Sequence, residues 1–357
     1  MITRALACAA ALLLPIVPVP AKQDPAKIQH YRQINLVSDL PGVAQLQDTN
    51  LVNAWGISFN PMSPFWVSDN GTGKSTLYAV SNDSSGTPIV SRVPLVVSIP
   101  GEGNPTGQLF NGNTNIFHSD AFIFASEDGT ISGWRPALGT NAEVLATSDA
   151  VYKGITLSSN STGPVLLVAN FSEATVDVYT NGGTGAGLAA QFSDSTAPEG
   201  YAPFNVQEVD GIIFVTFAKQ DEAKEDDVAG RGHGLIDIFD PVTGTFTRFA
   251  TGSDAGGKVH DMNSPWGIAV APSTFGRHAG QLLVGNFGSG TIMTFDVNGT
   301  FEGLLKRVRG GAITIDGLWA LKFGNGTRAG TPDTLFFSAG PNDESNGLFG
   351  AIQPDQK

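Results

Sequence analysis

The sequence predicts an all-β fold, a six-bladed β-propeller. Three observations predict it. One short phrase recurs six times along the chain. The same succession of short β-prone runs follows every recurrence. The last copy lacks one run, and the start of the chain can supply it.

The phrase reads NAWGISF at 53–59, NPTGQLF at 104–110 and VYKGITL at 151–157. It returns as APFNVQE at 202–208, SPWGIAV at 264–270 and GLWALKF at 317–323. The aligned small or polar residues are Gly56, Gly107, Gly154, Asn205, Gly267 and Ala320, at intervals of 51, 47, 51, 62 and 53 residues. A repeat of that length is one supersecondary unit that cannot bury its own faces and needs neighbours to do so. The units begin near residues 51, 102, 150, 201, 263 and 316.

A second apolar run follows each phrase: FWVSDN, FIFASED, VLLVANF, FVTFAKQ, LLVGNFG and LFFSAG. A third starts soon after: TLYAVS, TISGWRP, TVDVYT, LIDIFDP, TIMTFDV and GLFGAI. These are short, rich in Val, Ile, Phe and Thr, and bounded by Gly, Asn, Asp and Ser, which is how hairpin-connected strands read. A fourth run shows in most copies, for example PIVSRVPLVVSI at 88–99, AEVLAT at 142–147 and TFTRFAT at 245–251. Four strands per repeat make a propeller blade. After GLFGAI only QPDQK remains, so the sixth blade has no fourth strand of its own. YRQINLVSD at 31–39 supplies it, closing the ring and removing both free edges. A seven-bladed ring with one unseen blade is the alternative, and the even spacing argues against it.

Composition agrees with this. The chain has 357 residues, 44 Gly, 21 Pro and 15% charged residues. That is long for one layered core, but repeat folds escape that limit. The net charge of −13 repels phosphate backbones, so nucleic acid is not an expected partner. Residues 1–21 read as a signal peptide: Arg4, an apolar run from Ala5 to Val17, and small residues before Lys22. The expected protein is therefore secreted or periplasmic. Its only cysteine, Cys8, leaves with the leader. No other apolar run is long enough to span a bilayer. The expected molecule is a monomer.

Propeller topology locates the candidate site. The innermost strand of each blade starts at one channel mouth, and the second strand returns to it. Concave places where side chains converge are the default binding position. The ends of the second strands carry Asp69, Glu127, Asn170, Lys219, Asn286 and Ala339. The starts of the first strands add Asn53, Asn104, Asn205, Asn263 and Asp316. Such a collection of oxygen donors suits a hard cation such as Ca2+. Asn and Asp are also ordinary turn formers at hairpin ends. Within this set, Asp69, Glu127, Asn170, Asn286 and Asp316 are expected to line a shared polar mouth. Asn53, Asp69, Asn205, Lys219 and Asn263 are candidates for binding at the channel mouth. The longest insertion, KQDEAKEDDVAGRGHG at 219–234, places Asp221 to Asp227 on the same face. It reads either as a solvated loop or as a lid or calcium-binding flap.

Other signals carry less. GTGKST at 71–76 and GTGAG at 183–187 imitate nucleotide-binding loops but join strands instead of opening helices. There is no G-x-S-x-G elbow and no His-Glu-x-x-His pair. His30, His118, His233, His260 and His278 show no metal-ligand spacing. His118 reads as a hydrogen-bonded packing residue. Trp55, Trp266 and Trp319 share nearly one repeat position, which reads as packing between blades, although an aromatic at the mouth can stack on a sugar.

NAWGISF, FIFASEDGTISGW, NSPWGIAVAP, LLVGNFGSGTI and FSAGPNDESNGLFG resemble a family of conserved hypothetical β-propeller proteins, mainly bacterial. Some members carry a PEP-CTERM sorting tail, which this chain lacks. The likeness covers residues 31–352, and the family has no established activity to transfer. More distantly the layout is similar to six-bladed NHL and calcium-dependent lactonase propellers. That likeness implies one metal held by Glu, Asn, Asn and Asp, a composition that Glu127, Asn170, Asn286 and Asp316 match. Fold does not fix function.

Two functional readings follow. One is an exported binding or scaffold propeller that holds a small polar ligand, a glycan or a protein at the channel face. The other is a calcium-class metal-dependent hydrolase of lactones or esters. A third, a cell-envelope structural protein, would go with a mouth blocked by large side chains.

Overall fold

Five of the six sheets hold four antiparallel strands in chain order, and the sixth is assembled from both ends of the chain. The structure, a computed structural model, describes residues 30–182, 185–252 and 261–355. The leader expected at 1–21 and His260 lie outside the described residues. The first blade shows the pattern. Ala54–Ser58, Phe65–Asp69, Lys74–Asn82 and Pro88–Ser98 pair successively from axis to rim. The two inner strands are buried along their whole length, because neighbouring blades cover both of their faces. The rim strand Pro88–Ser98 is mostly exposed or half-buried. The inner strands of blades two to six are Pro105–Phe110, Tyr152–Asn160, Tyr201–Val209, Pro265–Val270 and Leu318–Phe323.

The ring closes as the sequence predicts. Tyr31–Ser38 pairs antiparallel with Leu348–Pro354 as the fourth strand of the sixth blade. A two-residue strand, Leu46–Gln47, adds a parallel fifth. It was not foreseen, being too short to show any alternation.

The recurring phrase has a specific structural meaning. In all six blades the pairing of the inner strand with the second strand breaks register within it, between Ala54 and Ile57 in the first blade and between Leu318 and Leu321 in the last. A β-bulge re-aims a side chain and bends its strand. Here the bulge brings each inner strand against the next. A Cβ on Gly56 would lie 2.5 Å from the Thr106 carbonyl oxygen, and one on Gly107 would lie 2.8 Å from the Ile155 nitrogen. One on Gly154 would meet Asn205 Cα at 2.8 Å, and one on Gly267 would meet the Leu321 nitrogen at 2.8 Å. Where the fourth blade has Asn205 in place of glycine, its amide donates to the Trp266 carbonyl at 2.9 Å and takes over the contact. The glycines recur because backbone meets backbone at that point.

Between blades the core is aromatic and aliphatic. Trp66 stacks on Phe122 at 4.0 Å and tilts against Trp134 at 4.8 Å, joining the first two blades. Phe65 meets Phe336 and Phe349 at 4.6 and 5.2 Å, joining the first to the last. Among the described residues no helix is long and apolar enough to cross a membrane.

Candidate functional site

The bulge also aims the residue that precedes each repeat glycine. That column reads Trp55, Thr106, Lys153, Phe204, Trp266 and Trp319. Its members meet across the ring. Trp55 stacks on Trp319 at 3.6 Å, and Trp266 stands edge-on to both at 6.3 and 6.0 Å. Phe204 approaches Trp319 at 5.7 Å, and Phe287 stacks on its other side at 3.9 Å. Trp266 Nε1 donates to the Lys153 carbonyl at 3.0 Å, a bond between non-adjacent blades. The three tryptophans thus pack blade against blade, as expected, and do so at the centre of the ring, where they plug the channel. Trp55 and Trp319 are each 1% exposed, which leaves no face for a sugar.

Lys153 is the charged member of this column. Its side chain is 2% exposed, and its ammonium lies 5.4 Å from the Trp55 ring and 5.8 Å from the Phe171 ring. Nζ donates to Glu127 of the second blade and, at 3.2 Å, to Asp226 of the fourth-blade insertion. Burial alone would push the amine down; Glu127 and Asp226 overcome it and hold its pKa above the ordinary value. Sequence reasoning missed this residue. The signal was there: one lysine in a column otherwise made of Trp, Phe and Thr.

Around Lys153 lies a polar layer. Glu127 accepts from the Asn70 amide at 2.9 Å. Asn53 donates to Asn70 at 3.2 Å and to Glu344, and accepts from Trp319 Nε1 at 2.9 Å. Ser264 donates to Asp227. Asn53 and Ser264 occupy the same repeat position and both have left-handed backbone, φ 46° and 50°. Non-glycine residues in that region concentrate at functional sites. Burial raises both attached carboxyls, Glu344 to about 7. Glu344 sits in a run of three left-handed residues, Asn342, Asp343 and Glu344. Nothing in the local sequence announces that conformation.

The insertion crosses this face and is tied down. Asp226 reaches Lys153, Asp227 takes Ser264, and the Gly230 nitrogen donates to Asn263 Oδ1 at 2.6 Å. Beside it opens a hollow of about 290 Å³ lined by Glu102, Asn104, Glu127, Asp128, Glu225 and Asp226, with Val151.

The candidate residues divide. Asn53, Glu127 and Asn263 belong to the layer just described. Asp69 is fully buried within its blade, where it accepts from Thr76 Oγ1 at 3.2 Å; burial holds its carboxyl well above the usual range. Asn205 serves the contact between blades. Lys219 is half-buried where its strand meets the insertion, and its carbonyl accepts from the Val228 nitrogen at 2.7 Å. Of the four candidate metal ligands, Glu127 holds the lysine. Asn170 donates to Asp177 at 3.0 Å and accepts from Ser172 and Glu173, both at 3.1 Å. Asn286 accepts from the Asn263 nitrogen at 2.9 Å and donates to the Thr291 carbonyl at 3.2 Å. Asp316 is exposed and accepts from the Asn342 nitrogen at 2.9 Å. Asn170 thus makes the local bonds of a turn former, whereas Asn286 and Asp316 tie down backbone 23 and 26 residues away.

Among the described residues one His/Asp/Glu group is close enough to share a cation: His118, Asp120 and Glu143. It already holds one, because Arg135 Nη1 donates to Asp120 at 2.7 Å and to Glu143. His118 Nδ1 is 2.9 Å from Glu143 Oε1.

No protein-family model matches the chain. An uncharacterized protein of Acanthamoeba polyphaga mimivirus is 29% identical over 336 residues, covering 90% of this chain and 80% of its own. A structural genomics protein of unknown function from Bacteroides thetaiotaomicron aligns over 91% of this chain and 77% of its own, with TM-score 0.52 and 9% identity. Streptogramin B lyase aligns over 91% of this chain and 98% of its own, with TM-score 0.48 and 12% identity. At such identities a structural likeness speaks for the fold alone. The viral relative has no assigned activity, and these matches do not support the mainly bacterial family with sorting tails that the resemblance implied.

Proposed function

We propose that this is a binding propeller whose insertion face takes a small polar ligand bearing a positive charge, an amine or a guanidinium. One observation carries the reading: the hollow beside the insertion is lined by five carboxylates and one amide, with no cation in its wall. Lys153, the nearest ammonium, is already engaged by Glu127 and Asp226. The lining is therefore negative, and a cationic group entering it gains charge-assisted hydrogen bonds. Low-dielectric walls focus that field. The plugged channel supports a site on the face, not a passage through the ring.

The oxygen-only lining also suits a calcium-class ion, and that observation favours a second reading. In it an ion bound in the hollow, its shell completed by water, would polarise a lactone or ester carbonyl. The leader-like sequence at 1–21 supports export of the monomer from the cytoplasm; N-terminal sequencing of the secreted form tests that point.

The deciding experiment is thermal unfolding of residues 22–357 with putrescine, with calcium chloride, and with calcium followed by chelator. A ligand that binds only the folded state at a hundred times its dissociation constant adds about 2.7 kcal/mol. Stabilisation by putrescine that is lost in Asp226→Asn supports the amine reading. Stabilisation by calcium that chelator reverses moves the case to the second reading and calls for a lactone and ester screen. No shift with either sinks both.

A further inference from the structure

The opposite end of the channel holds a separate cavity of about 350 Å³, walled by inner strands of all six blades and reaching Trp266. Its wall includes Lys322, on the inner strand of the sixth blade. Three other cations held within the blades are matched by carboxylates: Lys153 by Glu127 and Asp226, Arg135 by Asp120 and Glu143, Arg248 by Asp194 and Asp237. Lys322 is not. Among the described residues it makes no hydrogen bond and no ion pair. Its Nζ lies 5.2 Å from the Phe59 ring. Two carboxylates share its surroundings, Glu208 in this cavity and Asp210 in the adjoining one, but both are exposed and neither is within ion-pair distance.

We infer that this cavity is an anion site, in which Lys322 meets the carboxylate of a small amphipathic acid. The chemistry follows from the wall. A half-buried ammonium without a counter-ion is costly, and a ligand carboxylate supplies what the fold leaves out. Burial holds the Lys322 amine below its ordinary pKa, the expected response of an unmatched charge. The rest of the wall mixes polar and apolar surface, and Phe59, Leu109, Phe110 and Leu157 in it can take a hydrocarbon body. The nearby amides are largely committed: Gln108 donates to the Gly56 carbonyl at 2.8 Å and accepts from Ser58 at 2.9 Å, and Gln207 donates to the Ile268 carbonyl at 2.7 Å. Lys322 is the one cationic group in this wall, so affinity should depend on the ligand's charge. This site stands on the face opposite the acidic hollow and does not rest on the function proposed above.

The test is isothermal titration of the protein with octanoate and with octanamide, the uncharged analogue. Octanoate is expected to bind, and octanamide to bind at least about tenfold more weakly, as loss of one charge-assisted contact requires. Lys322→Met should weaken octanoate by a similar factor, and Lys322→Arg should retain it. Lys322→Met removes an unmatched charge, so its urea midpoint should equal or exceed the wild-type value, and lost binding cannot then be ascribed to misfolding. Equal binding of acid and amide, undiminished binding to Lys322→Met, or no binding of octanoate to the wild type would each overturn the proposal.

Discussion

Lys153 and Glu127 form an ion pair between neighbouring blades in which the ammonium side chain is 2% exposed and the carboxylate side chain 24%. The two ends are therefore unequal in their access to water. Removing a partner from a buried pair is damaging in proportion to how completely the survivor is sealed.

From that asymmetry, Glu127→Gln should destabilise more than Lys153→Met. In Glu127→Gln the ammonium stays enclosed between Trp55 and Phe171, with Asp226 as its remaining counter-ion, and that side chain is 74% exposed. The expected loss is about 3 kcal/mol. In Lys153→Met the carboxylates retain access to water, and an apolar side chain suits the aromatic surroundings. Urea midpoints at pH 7 measure both; a Lys153→Met loss equal to or larger than that of Glu127→Gln contradicts the account.

A second prediction concerns the repeat glycine. Gly56→Ala places a methyl group 2.5 Å from the Thr106 oxygen and 2.9 Å from the Gln108 nitrogen, and both are backbone atoms. Blades must part to admit it, at a cost of about 1–3 kcal/mol. Gly187→Ala meets nothing within 4 Å and should be neutral or slightly stabilising, since alanine restricts the unfolded chain. Equal midpoints for the two variants would mean that the blade contact is softer than its geometry implies.

The third prediction is a pH dependence. Burial raises Glu344 from 4.5 to about 7 in the folded state. Between those values the folded chain binds more protons than the unfolded one, so this group makes stability fall as pH rises through that window. Glu344→Gln should remove that part of the slope while leaving contributions from other groups. The comparison is the difference in urea midpoint between variant and wild type at pH 4.5 and at pH 7.5. A difference that stays constant across the window rules the assignment out.

Much of the fold was legible because a propeller writes one local problem six times. The phrase around Gly56 and Gly267 marks a bulge and a backbone contact, and local contacts of that kind leave a periodic trace. The closing strand at 31–39 was legible too, since the sixth repeat ends without its fourth strand. The site was less legible. Asn53, Glu127, Asn170, Asn286 and Asp316 look alike in a repeat alignment, all polar residues at strand ends. Asn53 and Glu127 join the layer around Lys153, while Asn170 shapes its own turn and Asn286 and Asp316 hold distant backbone. Strand position is set by the repeat, but the direction of a side chain depends on bulges, left-handed residues and the adjoining blade.

By itself, then, the sequence determined the number of blades, the order of their strands, the closure and the negative charge. Those follow from periodic hydrophobicity, turn residues and composition, all of which act over short stretches of chain. Only the tertiary structure decided that Lys153 meets an insertion 73 residues away, that Asn53 meets Glu344 at a separation of 291, and that three tryptophans fill the channel. These are contacts between blades near the ring axis. They exist only once all six blades have closed around it, and no local preference encodes them.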